Sequence, residues 1–373
     1  MLRRSIVAVL LVLALVATAC GGQNVAEDPR QSLQDAFERM AEWEGAEFTL
    51  RLDTDVESLL AADDTGEMTE EQAQAVVDGR VVVRSYAGPD LADTSDDEFE
   101  MEVATGDTVA FHLIAFQTEA FYVRSQVREL IDRFGDADAQ ADLNEMANEA
   151  SQVGIDFADD FFGGAWLQLQ GVQQLSNMYS GMAGIETPEP SELETLREEL
   201  EASIEGFLAE VEVEYVGPED PGEHVRVVAT AKQFVELSIE FFEQMSGMLP
   251  TQPGMAPEDL VGEMRRELEN TPDVEVPIEF WLDGGTVSRM GFDLVGFAER
   301  NPDLDEDMEI PEGLDRLLIV ADIAEFGGGL EAPDDAIEVD LFELFGRFMG
   351  QGFGAGGFES VTESATETVT SEP

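Results

Sequence analysis

Cysteine and histidine are the side chains best suited to act as nucleophiles, general bases or metal ligands near neutral pH, and this chain has few of them. It contains one cysteine, Cys20, and two histidines, His112 and His224. Each histidine lies in a strand-like segment with no motif around it that would supply a catalytic partner, which favours a structural role. Zinc is excluded because the chain has too few histidine and cysteine ligands.

Other signatures of catalysis are absent from the sequence. There is no Gly-x-Ser-x-Gly elbow, no phosphate-binding loop and no dinucleotide-binding glycine pattern. Asp303, Asp305 and Asp307 have the spacing that opens a calcium loop, but Met308 stands where glycine is required and Leu314 where glutamate should close the site. We therefore read these aspartates as a solvated acidic turn, and we predict a protein without enzymatic activity, metal or cofactor.

The segment around Cys20 predicts export and lipid attachment. Arg3 and Arg4 precede an apolar run over residues 6–16, and small residues lead into Cys20. This is the layout of a secretory signal, and the run is too short to span a bilayer. The segment resembles a bacterial lipobox, with Ala17 where leucine is usual. The resemblance implies that residues 1–19 are removed and that Cys20 carries the lipid. The alternative is an ordinary secretory signal with an incidental cysteine.

The charge of the chain is strongly negative. It has 82 acidic and 19 basic residues, a formal net charge of −63, and only one lysine, Lys232. Such a chain repels nucleic acid and anionic surfaces, so we expect no nucleic-acid partner. The acids are spread along the whole length and resemble the composition of halophilic, high-GC actinobacterial proteins. We therefore interpret them as a solvated surface adapted to high salt, which screens self-repulsion.

Alternation of apolar and polar residues with a period of two dominates the chain and predicts about eleven strands. The clearest strand runs over 274–283, and Asp283-Gly284-Gly285 then favours a tight hairpin turn. The full set of predicted strands is 48–56, 80–86, 98–103, 108–116, 119–124, 166–170, 210–216, 223–230, 274–283, 288–294 and 316–326. Short connections favour antiparallel pairing, and alternation favours a sheet with one apolar and one acidic face.

Helical periodicity predicts amphipathic helices that can cover the apolar face of such a sheet. They are expected over residues 31–43, 125–160, 191–209, 231–247 and 257–269. The predicted fold class is therefore α+β: a large curved antiparallel sheet of about eleven strands covered by amphipathic helices. The predicted boundaries are a signal peptide over 1–19, the lipidated cysteine and a flexible tether over 20–30, one domain over 31–349, and a disordered tail over 350–373.

The order of these segments resembles one known family. It runs from the lipobox through a tether and one helix to strands that open with Gly45-Ala46-Glu47-Phe48, and it ends with Ile323-Ala324-Glu325-Phe326-Gly327. Between them lie the stretches 121–124, 164–169 and 276–285. In this order and texture the chain is similar to actinobacterial lipoproteins of the LppX/LprG type, which have a LolA-like half-barrel. The resemblance implies a hydrophobic cavity that binds acylated lipids or lipoglycans.

The leading hypothesis is a lipoprotein anchored at the outer face of the cell membrane that binds acylated lipid. Its 23 phenylalanines and 14 methionines suit a dry, adaptable surface. The helices over 191–209 and 231–247 would close a cavity against the sheet, but individual cavity-lining residues are not predicted. The alternative is an anchored interaction module with a filled core, whose partner would be an envelope protein or a transporter.

Overall fold

The structure is a computed structural model, and it describes most of the chain in separate ranges. These are residues 25–63, 66, 68–88, 96–116, 120–135, 137–152, 154–172, 202–245, 261–262, 264–266, 268, 271, 274–300 and 317–344. Cys20, the acidic turn at 303–307 and the tail at 350–373 lie outside them. The predicted domain boundaries therefore remain predictions.

Twelve described strands form one open sheet. They are β1 (Gly45–Asp53), β2 (Gly79–Tyr86), β3 (Glu98–Thr105), β4 (Thr108–Phe116), β5 (Ala120–Arg124), β6 (Leu167–Gln170), β7 (Glu212–Glu219), β8 (Gly222–Thr230), β9 (Glu275–Asp283), β10 (Thr286–Asp293), β11 (Leu318–Glu325) and β12 (Ile337–Asp340). Their order across the sheet is β12-β6-β5-β4-β3-β2-β1-β11-β10-β9-β8-β7. The sheet thus joins two runs of sequential strands, β1–β6 and β7–β11, through the pair β1 and β11.

The described helices lie between and after these strands. They are α1 (Pro29–Met40), α2 (Val56–Ala62), α3 (Glu70–Val77), α4 (Val127–Phe134), α5 (Ala137–Gln152), α6 (Ala158–Phe162), α7 (Ala231–Met245) and α8 (Leu294–Arg300). Residues 202–210 are also helical. The fold class is therefore α+β, as predicted, with a large open sheet and helices packed on it.

Local sequence explains where α1 begins and which side it buries. The side chain of Asp28 caps the helix by accepting a hydrogen bond from the backbone N–H of Gln31 at 3.1 Å, and Pro29 occupies the first turn. Leu33, Ala36 and Phe37 follow at helical spacing and are buried. The helix thus starts two residues before the predicted position and lays one apolar stripe on the sheet.

Eleven of the strands match predicted segments, and the twelfth was missed. β12 has four residues and pairs in parallel with β6, from Ile337 beside Leu167 to Asp340 beside Gln170. All other pairs are antiparallel, as expected. The first strand begins and ends three residues earlier than predicted, at Gly45 and Asp53, since Asp55 caps α2 and the chain is helical from Val56 onward.

The helix predictions were less complete than the strand predictions. The segment 125–160 contains three helices, α4 to α6, whereas one helical region was expected. The predicted helix at 231–247 is present as α7, and 202–209 of the predicted 191–209 is helical, while 191–201 lies outside the described ranges. Of the helix expected at 257–269, the described residues are helical. α2, α3 and α8 were not predicted.

Candidate functional site

The two faces of the sheet differ in chemistry along its whole width. Strand register places Phe48 of β1 beside Val83 of β2 and Ile323 of β11, and all three therefore share one face. The same parity gives this face the side chains Leu50, Val81, Phe99, Met101, Val103, Phe111, Leu113, Phe121, Val123, Val225, Val227, Ile278, Phe280, Leu282, Met290 and Ala321. We call it the apolar face, and the opposite one the charged face.

On β7–β11, helices cover the apolar face. Phe37 of α1 packs edge-on against Phe280, with ring centroids 5.7 Å apart. Phe234 of α7 and Leu208 of the helical segment 202–210 belong to the same cluster. The sheet side chains beneath them are almost fully buried, including Val225 and Val287 at 0 % exposure. This half of the apolar face is a filled protein core.

On β1–β6, the apolar face is much less covered. Phe99 is 37 % exposed, although phenylalanine has no polar atom that would favour contact with water. Met101, Val103, Leu113 and Phe121 are half-buried. We call these five residues and their neighbours on β1–β6 the open apolar surface. Contiguous apolar surface of this kind is typical of a ligand or partner site.

In this half the charged face is the more buried of the two, and it buries the apolar side chains of Val82 and Ile114 together with polar ones. The buried side chains of β3 and β4 include Glu100 at 5 % and His112 at 7 % exposure, both on the charged face. Their strand neighbours Met101 and Leu113, on the apolar face, retain more exposure. A domain whose only task was to fold would bury the hydrocarbon and expose the acid. The arrangement therefore leaves hydrocarbon available for binding.

The charged face is held together by ion pairs between neighbouring strands. Asp322 of β11 accepts from Nε of Arg51 on β1 at 3.0 Å and from Nε of Arg289 on β10 at 2.5 Å. Arg84 of β2 bridges Glu47 and Glu100 on the strands to either side. We call these cross-strand ion pairs the ion-pair ladder. Each of its acids pairs with a cation on an adjacent strand, so the charged side chains can pack densely.

Both histidines belong to this ladder. His112 Nε2 lies 2.6 Å from Glu100 Oε1, and His224 Nε2 lies 2.6 Å from Glu279 Oε2. Hydrogen bonds from His112 and Arg84 outweigh burial and lower the pKa of Glu100. At Glu279, burial alone would raise the carboxyl pKa, but hydrogen bonds from His224 and Arg226 reverse this, so the pKa is lowered.

The structure supplies the histidine partners that the sequence did not reveal. Within the described ranges, no hydroxyl or thiol hydrogen-bonds to either imidazole; each histidine faces a carboxylate and an indole ring, Trp166 for His112 and Trp281 for His224. The described part of the chain contains no group of three or more histidine, cysteine or acidic residues arranged to hold a metal ion. None of its helices combines the length and apolarity needed to cross a membrane.

Cys20, the only site residue predicted from the sequence, lies outside the described ranges. The open apolar surface was not assigned residue by residue from the sequence. The alternation of Phe99, Met101 and Val103 against Glu98, Glu100 and Glu102 did mark its face. What the sequence could not show was which half of that face the helices leave uncovered.

Comparison with known proteins yields one structural likeness of low similarity. No family model matches the chain, and no curated protein matches it. Among solved structures, the crystal structure of the lipoprotein LppX of Mycobacterium tuberculosis is similar at 11 % identity and a TM-score of 0.29, over 82 % of this chain and 100 % of that one. At this TM-score the fold assignment rests on the strand order and register themselves.

Proposed function

We propose that the chain is a lipoprotein, anchored through Cys20 at the outer face of the cell membrane, that binds acylated lipid on the open apolar surface. The observation that carries the proposal is the difference in burial between the two faces of β3 and β4, where Phe99 and Met101 keep an exposure that Glu100 and His112 lack. No catalytic role is assigned to any residue.

The chemistry of the surface suits acyl chains. Its members are phenylalanine, methionine, leucine and valine, which have no hydrogen-bonding group to satisfy. Transfer of hydrocarbon from water to such a surface contributes about 0.8 kcal/mol per CH₂ group. Methionine adds flexibility, so Met101 can adjust to chains of different shape. The ion-pair ladder behind the surface fixes the strands without placing a charge among the apolar side chains.

Native mass spectrometry followed by organic extraction tests this proposal directly. The full chain would be expressed in an actinobacterial host that exports it and isolated from the membrane fraction in a mild detergent. We expect a discrete additional mass, beyond any lipid on Cys20, that extracts as an acylated molecule. Protein that stays bare after incubation with host lipid would contradict the proposal, and a co-purified envelope protein would then favour the interaction module.

A further inference from the structure

A cavity whose lining is chemically opposite to the open apolar surface lies at one end of the filled half of the sheet. It has a volume of about 690 Å³ and lies between α1, the β7–β8 turn and the β9–β10 turn. α1 contributes Ser32, Asp35 and Arg39. The strand turns contribute residues 218–223 and 282–285. We call it the turn cavity, and nothing in the open apolar surface forms part of it.

Local geometry shapes the wall of the turn cavity. Ser32, Asp35 and Arg39 stand three and four residues apart, so they share one face of α1. Arg39 Nη1 donates to the carbonyl oxygen of Gly285 at 2.8 Å. Gly285 has a φ of 90°, and a Cβ there would lie 1.4 Å from that guanidinium nitrogen. The positive φ favours glycine at this position, and the missing Cβ leaves room for the Arg39 guanidinium against the hairpin turn.

The lining of the turn cavity is strongly acidic. Five carboxyl residues take part, against the single guanidinium of Arg39; they are Asp35, Glu219, Asp220, Glu223 and Asp283. Glu223 accepts from the hydroxyl of Tyr215 at 2.5 Å, and a Glu219 oxygen lies 3.0 Å from His224 Nδ1. The remaining negative charge favours a cationic occupant.

Two buried polar atoms in the wall lack the hydrogen bonds they need. Ser32 is 8 % and Asp35 is 5 % exposed, yet Ser32 Oγ and Asp35 Oδ2 have no partner within the described part of the chain. The other Asp35 oxygen, Oδ1, accepts from Gln31 Nε2 at 2.7 Å. An unmatched buried acceptor costs about 1–3 kcal/mol, and Ser32 and Asp35 both belong to the cavity lining, so a donor that reaches these atoms from the cavity would relieve this cost.

From these observations we propose that the turn cavity binds a primary ammonium group. An ammonium supplies positive charge together with three N–H donors, which matches an unpaired carboxylate oxygen and an unpaired hydroxyl oxygen. A quaternary ammonium has the charge without the donors. A metal ion fits less well, because the described residues offer no cluster of three metal-ligating side chains. The ammonium could come from a free amine or from an aminated lipid headgroup.

Isothermal titration calorimetry of the full chain with 1,4-diaminobutane tests the proposal. Because the protein carries a net charge of −63, the titration needs about 0.5 M NaCl to screen diffuse attraction. We expect saturable binding at one site, with none for butane-1,4-diol and at least tenfold weaker binding for tetramethylammonium. Equal binding of the diol or tetramethylammonium, or no saturable binding, would overturn the proposal and leave a water-filled cavity.

Matched variants locate the binding. Asp35→Asn keeps the shape of the side chain and should weaken diaminobutane binding about tenfold or more, and Ser32→Ala should weaken it less. Glu145→Gln removes one exposed carboxylate from α5, far from the cavity lining, and should leave binding unchanged. Equal effects of Asp35→Asn and Glu145→Gln would show non-specific attraction and overturn the assignment. Thermal unfolding of each variant confirms that it is folded.

A second arm distinguishes the two sources of the ammonium. Glycerophosphoethanolamine carries the ammonium beside a phosphate, as a lipid headgroup does, and glycerophosphocholine is its quaternary control. Binding of the former that is lost in Asp35→Asn assigns the site to a headgroup. Binding of diaminobutane alone assigns it to a free amine, since the acidic lining repels the phosphate.

Discussion

The imidazole of His224 lies nearly parallel to the indole of Trp281, with 12° between the ring planes and 4.5 Å between their centroids. His112 and Trp166 make a tilted version of the same contact, 4.8 Å apart, in the other half of the sheet. Each imidazole also reaches one nearly buried glutamate through Nε2. The charged face is therefore fixed at two corresponding places, one on each side of the central strands.

Glu279→Gln should destabilise the fold by about 3 kcal/mol. Glu279 is 2 % exposed and pairs with both His224 and Arg226, so neutralising it removes the charged partner of the half-buried Arg226 guanidinium and weakens the hydrogen bond to the buried His224. Chemical denaturation measures the free energy of unfolding. Glu212→Gln, at an exposed position on β7, is the control and should change it by less than about 0.5 kcal/mol. Equal effects would show that the ladder adds no stability.

The loss of stability caused by Glu279→Gln should depend on pH in a predictable direction. The pKa values of Glu100 and Glu279 are lowered in the folded protein, so their stabilising effect is present above the ordinary glutamate pKa of 4.5 and is lost as the pH falls through the folded value. The stability gap between the unmodified protein and Glu279→Gln should therefore narrow as the pH falls below 4.5. Denaturation series across this range measure the gap, and one that widens at acid pH would contradict the assignment.

Met101→Glu should abolish lipid recovery. A carboxylate on the open apolar surface would have to lose water whenever an acyl chain lies against it. The matched control is Met146→Glu on α5, where methionine is already 56 % exposed. Native mass spectrometry of both variants measures lipid occupancy, and circular dichroism verifies that both fold. Full occupancy of Met101→Glu would place the lipid elsewhere.

Cys20→Ser should release the protein from the membrane fraction. The hydroxyl cannot form the thioether that the lipobox resemblance implies, and Cys20 is the only cysteine in the chain. Metabolic labelling with palmitate, followed by fractionation, tests both points. Loss of label together with appearance in the soluble fraction is the expected result. A Cys20→Ser protein that stays in the membrane would mean that another segment anchors it.

Gly45→Ala should destabilise the fold because the backbone on either side of β1 lies very close to position 45. A Cβ at position 45 would lie 2.5 Å from the backbone oxygens of Ser85 and of Phe326. Backbone atoms cannot move aside cheaply, so we expect a loss of about 1–3 kcal/mol. Gly327→Ala is the control, since a Cβ there meets nothing within 4 Å. Thermal unfolding compares the two, and equal melting temperatures would contradict the close packing of β1.

Much of the sheet could be predicted from sequence because its signal is local. Period-two alternation, such as that of Val276, Ile278 and Phe280, can be read from a few consecutive residues, because it requires only that one face of the strand is apolar. β12 escaped detection because four residues carry little periodicity and its parallel partner, β6, is distant in the chain. α2 and α3 were missed for a related reason: these short helices lie between β1 and β2, and capping by Asp55 and Thr69 rather than a long apolar stripe determines where they begin.

The candidate site was harder to predict than the fold. Whether Met101 lines a core or an open surface depends on where the helices lie, and local periodicity does not contain that information. The partners of His112 and His224 come from neighbouring strands, so their identity depends on register. Ser32 and Asp35 read as ordinary polar helix positions until two strand turns are brought against them.

The pairing of β1 with β11 also sets an order of assembly. Arg51 and Asp322, which pair across these strands, are 271 positions apart. When the chain is exported N-terminus first, β1–β6 can pair with their sequence neighbours early. The other edge of β1 can pair with β11 only after nearly the whole chain is available. During that interval β1 exposes unpaired backbone next to hydrocarbon, a template for misassembly with another chain. Newly exported protein should therefore be most prone to aggregation in the interval before β11 pairs with β1.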